Sequence, residues 1–270
     1  MDLGISGKTV LVTGSSRGTG EAIAHGFAAE GAHVLVHGLA LDDAEPVAAA
    51  IVEAGGKASA IGGDITTEAG SETAADDALA AAEGRIDILI NNYGTGERGF
   101  WFDAKTGSDA WIDVYQKNVL SAMRMIRKLT PQMKARGWGR IVQLGTIGST
   151  MPNARMPHYY ASKGALANMT VSLMLELAET GITVNTVSPG LIKTREVEAM
   201  YRKQAAERGW GDDWSEIERH VMREFMGNPT GRIALTSEVA DLVIFLASDR
   251  AAMINGTNIR IDGGGARMVS

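Results

Sequence analysis

The 270-residue chain carries a formal net charge of −6, with 26 basic against 32 acidic residues, and has no cysteine. That balance provides no positive field for a nucleic-acid backbone or an anionic membrane, and the missing thiols exclude disulfides, thiolate nucleophiles and cysteine metal sites. Hydrophobic residues at 45% and charged residues at 21% fit an ordered globular protein in a reducing, cytoplasmic setting, with neither a signal peptide nor a run of about 18 apolar residues to suggest export or membrane insertion.

In chain order, short runs rich in Val and Ile predict strands at Thr9–Val12, His33–Val36, Ser59–Ile61, Ile86–Ile90, Arg140–Leu144, Thr183–Val187 and Asn258–Ile261. Segments of helical period alternate with them at Gly18–Ala29, Asp43–Ala54, Glu68–Glu83, Ser108–Lys134, His158–Glu179 and Ser237–Ala247. Strand, helix and strand in repetition imply right-handed crossovers. The expected fold class is therefore α/β: a single doubly wound Rossmann-type domain over residues 1–270, with a parallel sheet of about seven strands and helices on both faces. Ligands of such sheets lie beyond the carboxyl ends of the strands. Between Arg195 and Asn228 the rhythm breaks. Two amphipathic helices, Glu196–Arg208 and Asp213–Phe225, flank Gly209-Trp210-Gly211 and are expected to form a substrate lid over about residues 195–228.

The first strand leads through Thr13-Gly14-Ser15-Ser16-Arg17-Gly18-Thr19-Gly20 straight into a helix. Glycines at 14, 18 and 20 allow a tight turn, close approach of the backbone to a pyrophosphate and packing of the helix on the sheet, with Ser16 and Thr19 beside them. The same glycines suit a turn without a ligand, but the position after the first strand favours a dinucleotide. The second strand ends Val36-His37-Gly38-Leu39, without the acid that selects the adenosine ribose of NAD. Arg17, helped by His37, offers positive charge to a 2′-phosphate, which favours NADP(H) while NAD(H) stays open.

Tyr159 and Lys163 stand four residues apart at the start of a helix, so their polar ends share a face. An adjacent ammonium lowers a phenol pKa from about 10 towards the working range, which makes the phenol a usable acid or base. An interfacial Tyr beside a surface Lys would show the same spacing. The wider set decides between them: the glycine turn, Asn91-Asn92-Tyr93-Gly94 after the fourth strand, Asn118, Tyr159 with Lys163, and Ser188-Pro189-Gly190 after the sixth strand. In that order, from Lys8 to Ile261-Asp262-Gly263-Gly264, the chain resembles the short-chain dehydrogenase/reductase family.

The resemblance implies that Tyr159 exchanges a proton with the substrate oxygen while the nicotinamide gives or takes hydride, that Lys163 binds the nicotinamide ribose and lowers the tyrosine pKa, and that Asn118 holds a water of a proton relay. It also implies that Asp64, with Ile65 beside it, contacts the adenine, that Asn91 steadies the sheet near the cofactor, and that Pro189, Gly190, Ile192 and Thr194 hold the nicotinamide end. Two positions depart from the family pattern. Its substrate-orienting serine becomes Thr146, thirteen residues before Tyr159, with Ser149 as the fallback. Tyr93 stands where Ala is usual, its ring directed either at the cofactor cleft or against the sheet. Phe100, Trp101, Met151, Met156, Trp210, Trp214 and Met222 suggest an apolar or aromatic ketone or secondary alcohol as substrate, while Arg155 and His158 are candidates for a polar group. No cluster suggests a metal. The family usually assembles as dimers or tetramers, so a homotetramer is expected, with the apolar residues Leu166, Met169, Leu173 and Met174 on the contact helices. The competing reading is a non-catalytic NADP(H)-binding sensor or scaffold.

Overall fold

The computed structural model describes residues 2–225 and 227–268, so Met226, within the expected lid, lies outside the described residues. Seven strands form one parallel sheet: β1 (Thr9–Val12), β2 (His33–Gly38), β3 (Lys57–Gly62), β4 (Ile88–Asn91), β5 (Gly139–Leu144), β6 (Ile182–Pro189) and β9 (Asn258–Ile261), in the order β3-β2-β1-β4-β5-β6-β9. The chain steps outward from β1 to β3, then returns to the other side of β1 with β4. The switch point therefore lies between β1 and β4, where the two following loops diverge and leave a crevice.

Alternation along β1 divides the apolar side chains between two cores. Val10 and Val12 join Phe27, Val34, Val36, Ile88 and Ile90 under α1 (Gly18–Ala29), α2 (Leu41–Glu53) and α9 (Thr236–Leu246). Leu11 turns to the other face, with Leu35, Leu89, Ile141, Met125 and Leu129, under α3 (Glu68–Ala81) and α5 (Ser121–Arg136). Both faces are covered, which is why the strands read as continuous apolar runs.

The predicted helix over 108–134 is interrupted. α4 (Ser108–Tyr115) ends in a π-helical turn over Gln116–Leu120, closed by the Ser121 N–H on the Gln116 carbonyl, before α5 begins. One wider turn changes which residues face the sheet, and it brings Asn118 to full burial at the sheet's ligand edge. α6 (Pro157–Glu176) follows β5 and starts on Pro157, where a first-turn proline removes an N–H that would have had no helical partner anyway.

The expected lid forms two helices, α7 (Arg195–Arg208) and α8 (Trp214–Glu224), and sequence patterning missed the two-residue strands beside them, β7 (Ile192–Lys193) and β8 (Ala234–Leu235), which pair in parallel. The lid has a small core of its own built on Tyr201, Ala205, Ile217, Val221 and Met222, with Trp210 and Trp214 packed against it. No described helix is long and apolar enough to cross a membrane.

Phe27 has no exposed surface and wedges α1 onto the sheet. Phe27→Ala should destabilise the fold by about 3–5 kcal/mol in urea titration; a loss under about 1 kcal/mol would contradict this packing.

Candidate active site

The turn after β1 is fixed from below. Gly14 has φ 61°, and a Cβ there would stand 2.9 Å from the Tyr93 Cα, so the close approach of the β1 and β4 loops requires glycine. Gly20 is equally restricted, since its Cβ would meet the Gly14 carbonyl at 2.4 Å. Asn92 ties the two loops together, its amide donating to the carbonyls of Thr13 at 3.0 Å and Gly14 at 2.8 Å. α1 begins at Gly18 with extended Arg17 as its N-cap and no side chain bonded to its first-turn amides. An uncapped helix N-terminus above a glycine turn has the donors and the dipole that a pyrophosphate needs. The residues present therefore fit a dinucleotide, with Ser16 and Thr19 half-buried beside the turn.

Arg17, at the turn, is largely exposed, with Glu196 4.0 Å away. His37, expected to assist it, sits elsewhere. It is completely buried beneath the turn, Nδ1 accepts the Gly14 N–H at 3.1 Å, and the Nε2–H therefore donates to the Gly63 carbonyl at 3.0 Å. Burial pushes its pKa down to about 4, against smaller upward effects from Gly63 and Asp64. His37 is a neutral pin for the turn, and it cannot serve as a cation for a phosphate. Ile65 is likewise directed into the core, leaving only its backbone for a ligand. Asp64 is exposed and accepts from Thr66. Asn91 is buried beside Gln143, to whose Oε1 it donates at 3.2 Å. The Tyr93 ring packs partly on the core under α3 and α5 and lies within the field of Asp64 and Lys117, at the adenosine end of the cleft. Beyond Pro189 and Gly190, half-buried Ile192 pairs in β7. Thr194 caps α7 by accepting the Val197 N–H at 3.3 Å, and its methyl lies 3.7 Å from the Cβ position of Gly18.

The second half of the site is tied together by Asn118. Its Oδ1 accepts the Thr95 N–H at 2.8 Å, while Nδ2 donates to the Thr95 carbonyl at 2.9 Å and to Ser162 Oγ at 3.0 Å. Both amide hydrogens are used, so Asn118 has no side-chain donor left for a water. Lys163 is buried and donates to the Leu144 carbonyl at 2.7 Å, and glycine is required at 94 because a Cβ would come within 2.4 Å of Asn118 Oδ1 and 3.1 Å of Lys163 Nζ.

Tyr159 lies one helical turn before Lys163, 6.0 Å from Nζ to the ring centroid. Burial raises the phenol pKa to about 12, the neighbouring Tyr160 adds to the rise, and a hydrogen bond from Thr146 opposes it. Burial alone lowers Lys163 to about 8. The anticipated lowering of the phenol by the lysine is thus not supplied by the chain's own groups, because desolvation of both side chains outweighs it. Thr146 also accepts the Gly148 N–H, and Ser149 donates to the Thr146 carbonyl at 2.7 Å. Thr146, not Ser149, is the hydroxyl directed at the phenol.

Beside this centre is a cavity of about 510 Å³ between the loops after β4 and β5 and the lid, lined by Arg98, Arg155, Tyr160, Tyr201 and Gln204 among others. Gly96 rests on the Tyr159 ring and on Met156, so the cavity is one side chain away from the phenol. Of the seven expected pocket residues only Phe100 and Met156 line it. Trp210, Trp214 and Met222 pack the lid core, Trp101 lies against Trp111 with ring centroids 5.4 Å apart and planes tilted by 44°, and His158 is buried against Trp111. Arg98 lies in the segment after the fourth strand and Gln204 in the expected lid, both places where pocket residues are expected, but no motif singles either of them out.

A profile of the short chain dehydrogenase family matches residues 8–205. The chain is similar to the 3-oxoacyl-[acyl-carrier-protein] reductase FabG of Escherichia coli, 32% identical over 262 residues and covering 97% of this chain and 98% of the relative. It is also similar in structure to L-sorbose reductase of Gluconobacter frateurii, solved with NADPH and L-sorbose, at a TM-score of 0.92 with 33% identity and full coverage of both chains. A 3-oxoacyl reductase of Agrobacterium tumefaciens with NADP bound follows at 0.85, 31% identical over 97% of this chain and 96% of that one.

The His37 pin makes stability depend on pH. The unfolded ring titrates near pH 6.5 and the folded one near 4, so between these values the unfolded chain binds more protons, and stability present above pH 6.5 is lost as pH falls towards 4. His37→Gln should remove up to about 3 kcal/mol of that pH dependence in urea titrations across the window. Equal slopes for the two proteins would refute the pin.

Proposed function

The chain belongs to the short-chain dehydrogenase family, and we propose that it is an oxidoreductase that uses NADP(H) in preference to NAD(H) to interconvert a ketone and a secondary alcohol, with Tyr159 as its proton-transfer group. The observation that carries this reading is the Thr146–Tyr159–Lys163 arrangement one side chain away from a cavity. NADPH, when bound, supplies the hydride. The chain's own groups do the rest.

Tyr159 donates its proton to the substrate oxygen in reduction and recovers it in oxidation. Thr146 holds that oxygen beside the phenol, its hydroxyl doing what a serine does, while its methyl stiffens χ1. The Lys163 ammonium has three donors and spends one on Leu144, which leaves two for ribose hydroxyls and for stabilising charge that develops on the phenol. Asn118 positions the loop from Gly94 that walls the site by holding Thr95 and Ser162. Gly14, Gly18 and the α1 amides take the pyrophosphate, Asp64 lies at the adenine end, and Thr194 with Pro189 and Gly190 borders the nicotinamide end. Arg17, exposed beside the glycine turn with only a long 4.0 Å contact to Glu196, supports NADP(H); the solved reductases described above hold NADPH and NADP.

The apolar or aromatic substrate class is only half supported, because Phe100, Met156, Leu191 and Phe225 share the cavity with two arginines and two phenols. The lid over 195–228 packs on its own core and closes one side of the cavity, which fits a unit within a single domain. Assembly into a homo-oligomer is supported by apolar side chains left exposed on α4 and α6, Ile112, Val171 and Leu175; Leu166, by contrast, is buried, and Leu173 and Met174 pack partly on the core under α3 and α5. The absence of cysteine suits a cytoplasmic location.

Tyr159→Phe should lower kcat/KM about 10²–10⁴-fold on any ketone turned over, with NADPH binding, followed by fluorescence, kept. Thr146→Ser should retain most activity and Thr146→Val should not. Turnover undiminished by Tyr159→Phe would reject this assignment, and NADPH binding with no turnover of any ketone or alcohol would favour the sensor reading.

A further inference from the structure

The cavity beside Tyr159 gathers charge from segments far apart in sequence: Arg98 from the loop after β4, Arg155 from the loop after β5, and Tyr201 and Gln204 from α7. Neither guanidinium forms an ion pair among the described residues, whereas Arg202 and Arg208 of the lid helices are each paired with a glutamate. Arg98 spends one donor on the Met200 sulfur at 3.3 Å, a weak acceptor that an oxyanion would displace. The backbone of Arg155 is held on both sides, its N–H by Asn153 Oδ1 at 2.9 Å and its carbonyl by the Gly99 N–H at 2.8 Å. That fixes where the side chain starts and joins the two arginine-bearing loops.

Tyr201 is only 4% exposed, and both arginines pull its pKa down against the larger upward push of burial, so both charges reach the same end of the cavity. The carboxylate in the wall, Glu224, is already engaged by Arg208 at 2.6 Å, with His220 Nδ1 at 3.6 Å. A positive end is thus built into a chain whose net charge is −6.

We infer that the substrate carries a carboxylate, held by Arg98 and Arg155 with Tyr201, at the end of the molecule remote from the oxygen that reacts at Tyr159. This rests on the oxidoreductase reading and names its substrate class as oxo and hydroxy acids. Planar guanidinium forks match a carboxylate, and the apolar flank of Phe100, Met156, Leu191 and Phe225 suits the carbon chain between the two ends. A phosphate dianion fits less well, because Glu224 shares the wall.

The test uses calorimetry on the NADP⁺-loaded protein, with saturated straight-chain carboxylates, their methyl esters and alkyl phosphates of matching length. The acids should bind about 10- to 100-fold more tightly than the esters. Arg98→Met and Arg155→Met should each lose that preference, Arg155→Lys should recover part of it, and NADPH fluorescence checks that every variant folds. Equal binding of acids and esters, an acid preference that survives both methionine variants, or tighter binding of the phosphates would overturn the inference. Turnover is read separately on hydroxy acids and neutral alcohols. Oxidation of neutral alcohols without any acid preference sinks the carboxylate subsite alone, whereas acid-selective binding without turnover sinks the oxidoreductase reading and keeps the subsite.

Discussion

Burying the Lys163 ammonium is the constraint around which the site is arranged. Removing such an ion from water costs several kcal/mol unless the surroundings compensate, and the described protein offers one hydrogen bond, to the Leu144 carbonyl at the end of β5. That bond ties the start of α6 to the carboxyl edge of the sheet. It also fixes what can lie opposite: Gly94 must be glycine because Lys163 and the Asn118 amide occupy the space a side chain would need. The lowered lysine pKa records the part of the penalty that remains. A fold with no use for the spare donors would gain by exchanging this lysine for an apolar residue, and this is the physical reason for treating Lys163 as functional.

The other loops reach that centre through pairs of close contacts between turns. Asn92 and Gly14 join the β1 and β4 loops at the switch point, His37 supports the same turn from β2, and Asn118 joins the β4 loop to α6 through Thr95 and Ser162. Each contact uses a side-chain amide or imidazole to satisfy backbone groups that a loop cannot pair with itself. The cleft is therefore preorganised by hydrogen bonds on the sheet side. On the lid side, ion pairs such as Arg195–Glu21 at 2.5 Å involve exposed groups and are worth little. The sheet side holds the residues proposed for the dinucleotide and the phenol, and the lid side, packed on its own core, forms one wall of the cavity.

The sheet was legible because strands buried on both faces leave unbroken apolar runs, and β1 and β9 fall where the residues predict them. The glycine turn and the Tyr159/Lys163 pair were legible because they depend on local spacing. What stayed hidden is non-local. The π turn at 116–120 leaves the apolar period of α4 and α5 unmarked, so the sequence reads as one helix. His37 reads as a cation beside the cofactor, and only the fold shows both its ring nitrogens engaged beneath the turn. Trp210, Trp214 and Met222 read as pocket residues because amphipathic lid helices do not reveal whether their apolar stripe faces a ligand or each other. The β7–β8 pair is too short for any periodicity to register.

Electrostatics gives the two halves different tasks. At the reacting centre burial holds the phenol protonated and lowers the Lys163 ammonium to about 8. Positive charge stands at the edges instead, Arg17 beside Glu196 near the glycine turn and Arg98 with Arg155 in the cavity. An overall charge of −6 repels anions at a distance, but screening confines that repulsion to about 8 Å at physiological salt. Inside the cleft the nearest guanidiniums dominate, so anionic groups are selected by placement and not by long-range attraction. Charge is then recognised away from the bond being changed, which lets binding energy at the ends of the ligands orient a neutral carbonyl at Tyr159 without a fixed charge beside the phenol to oppose its ionisation.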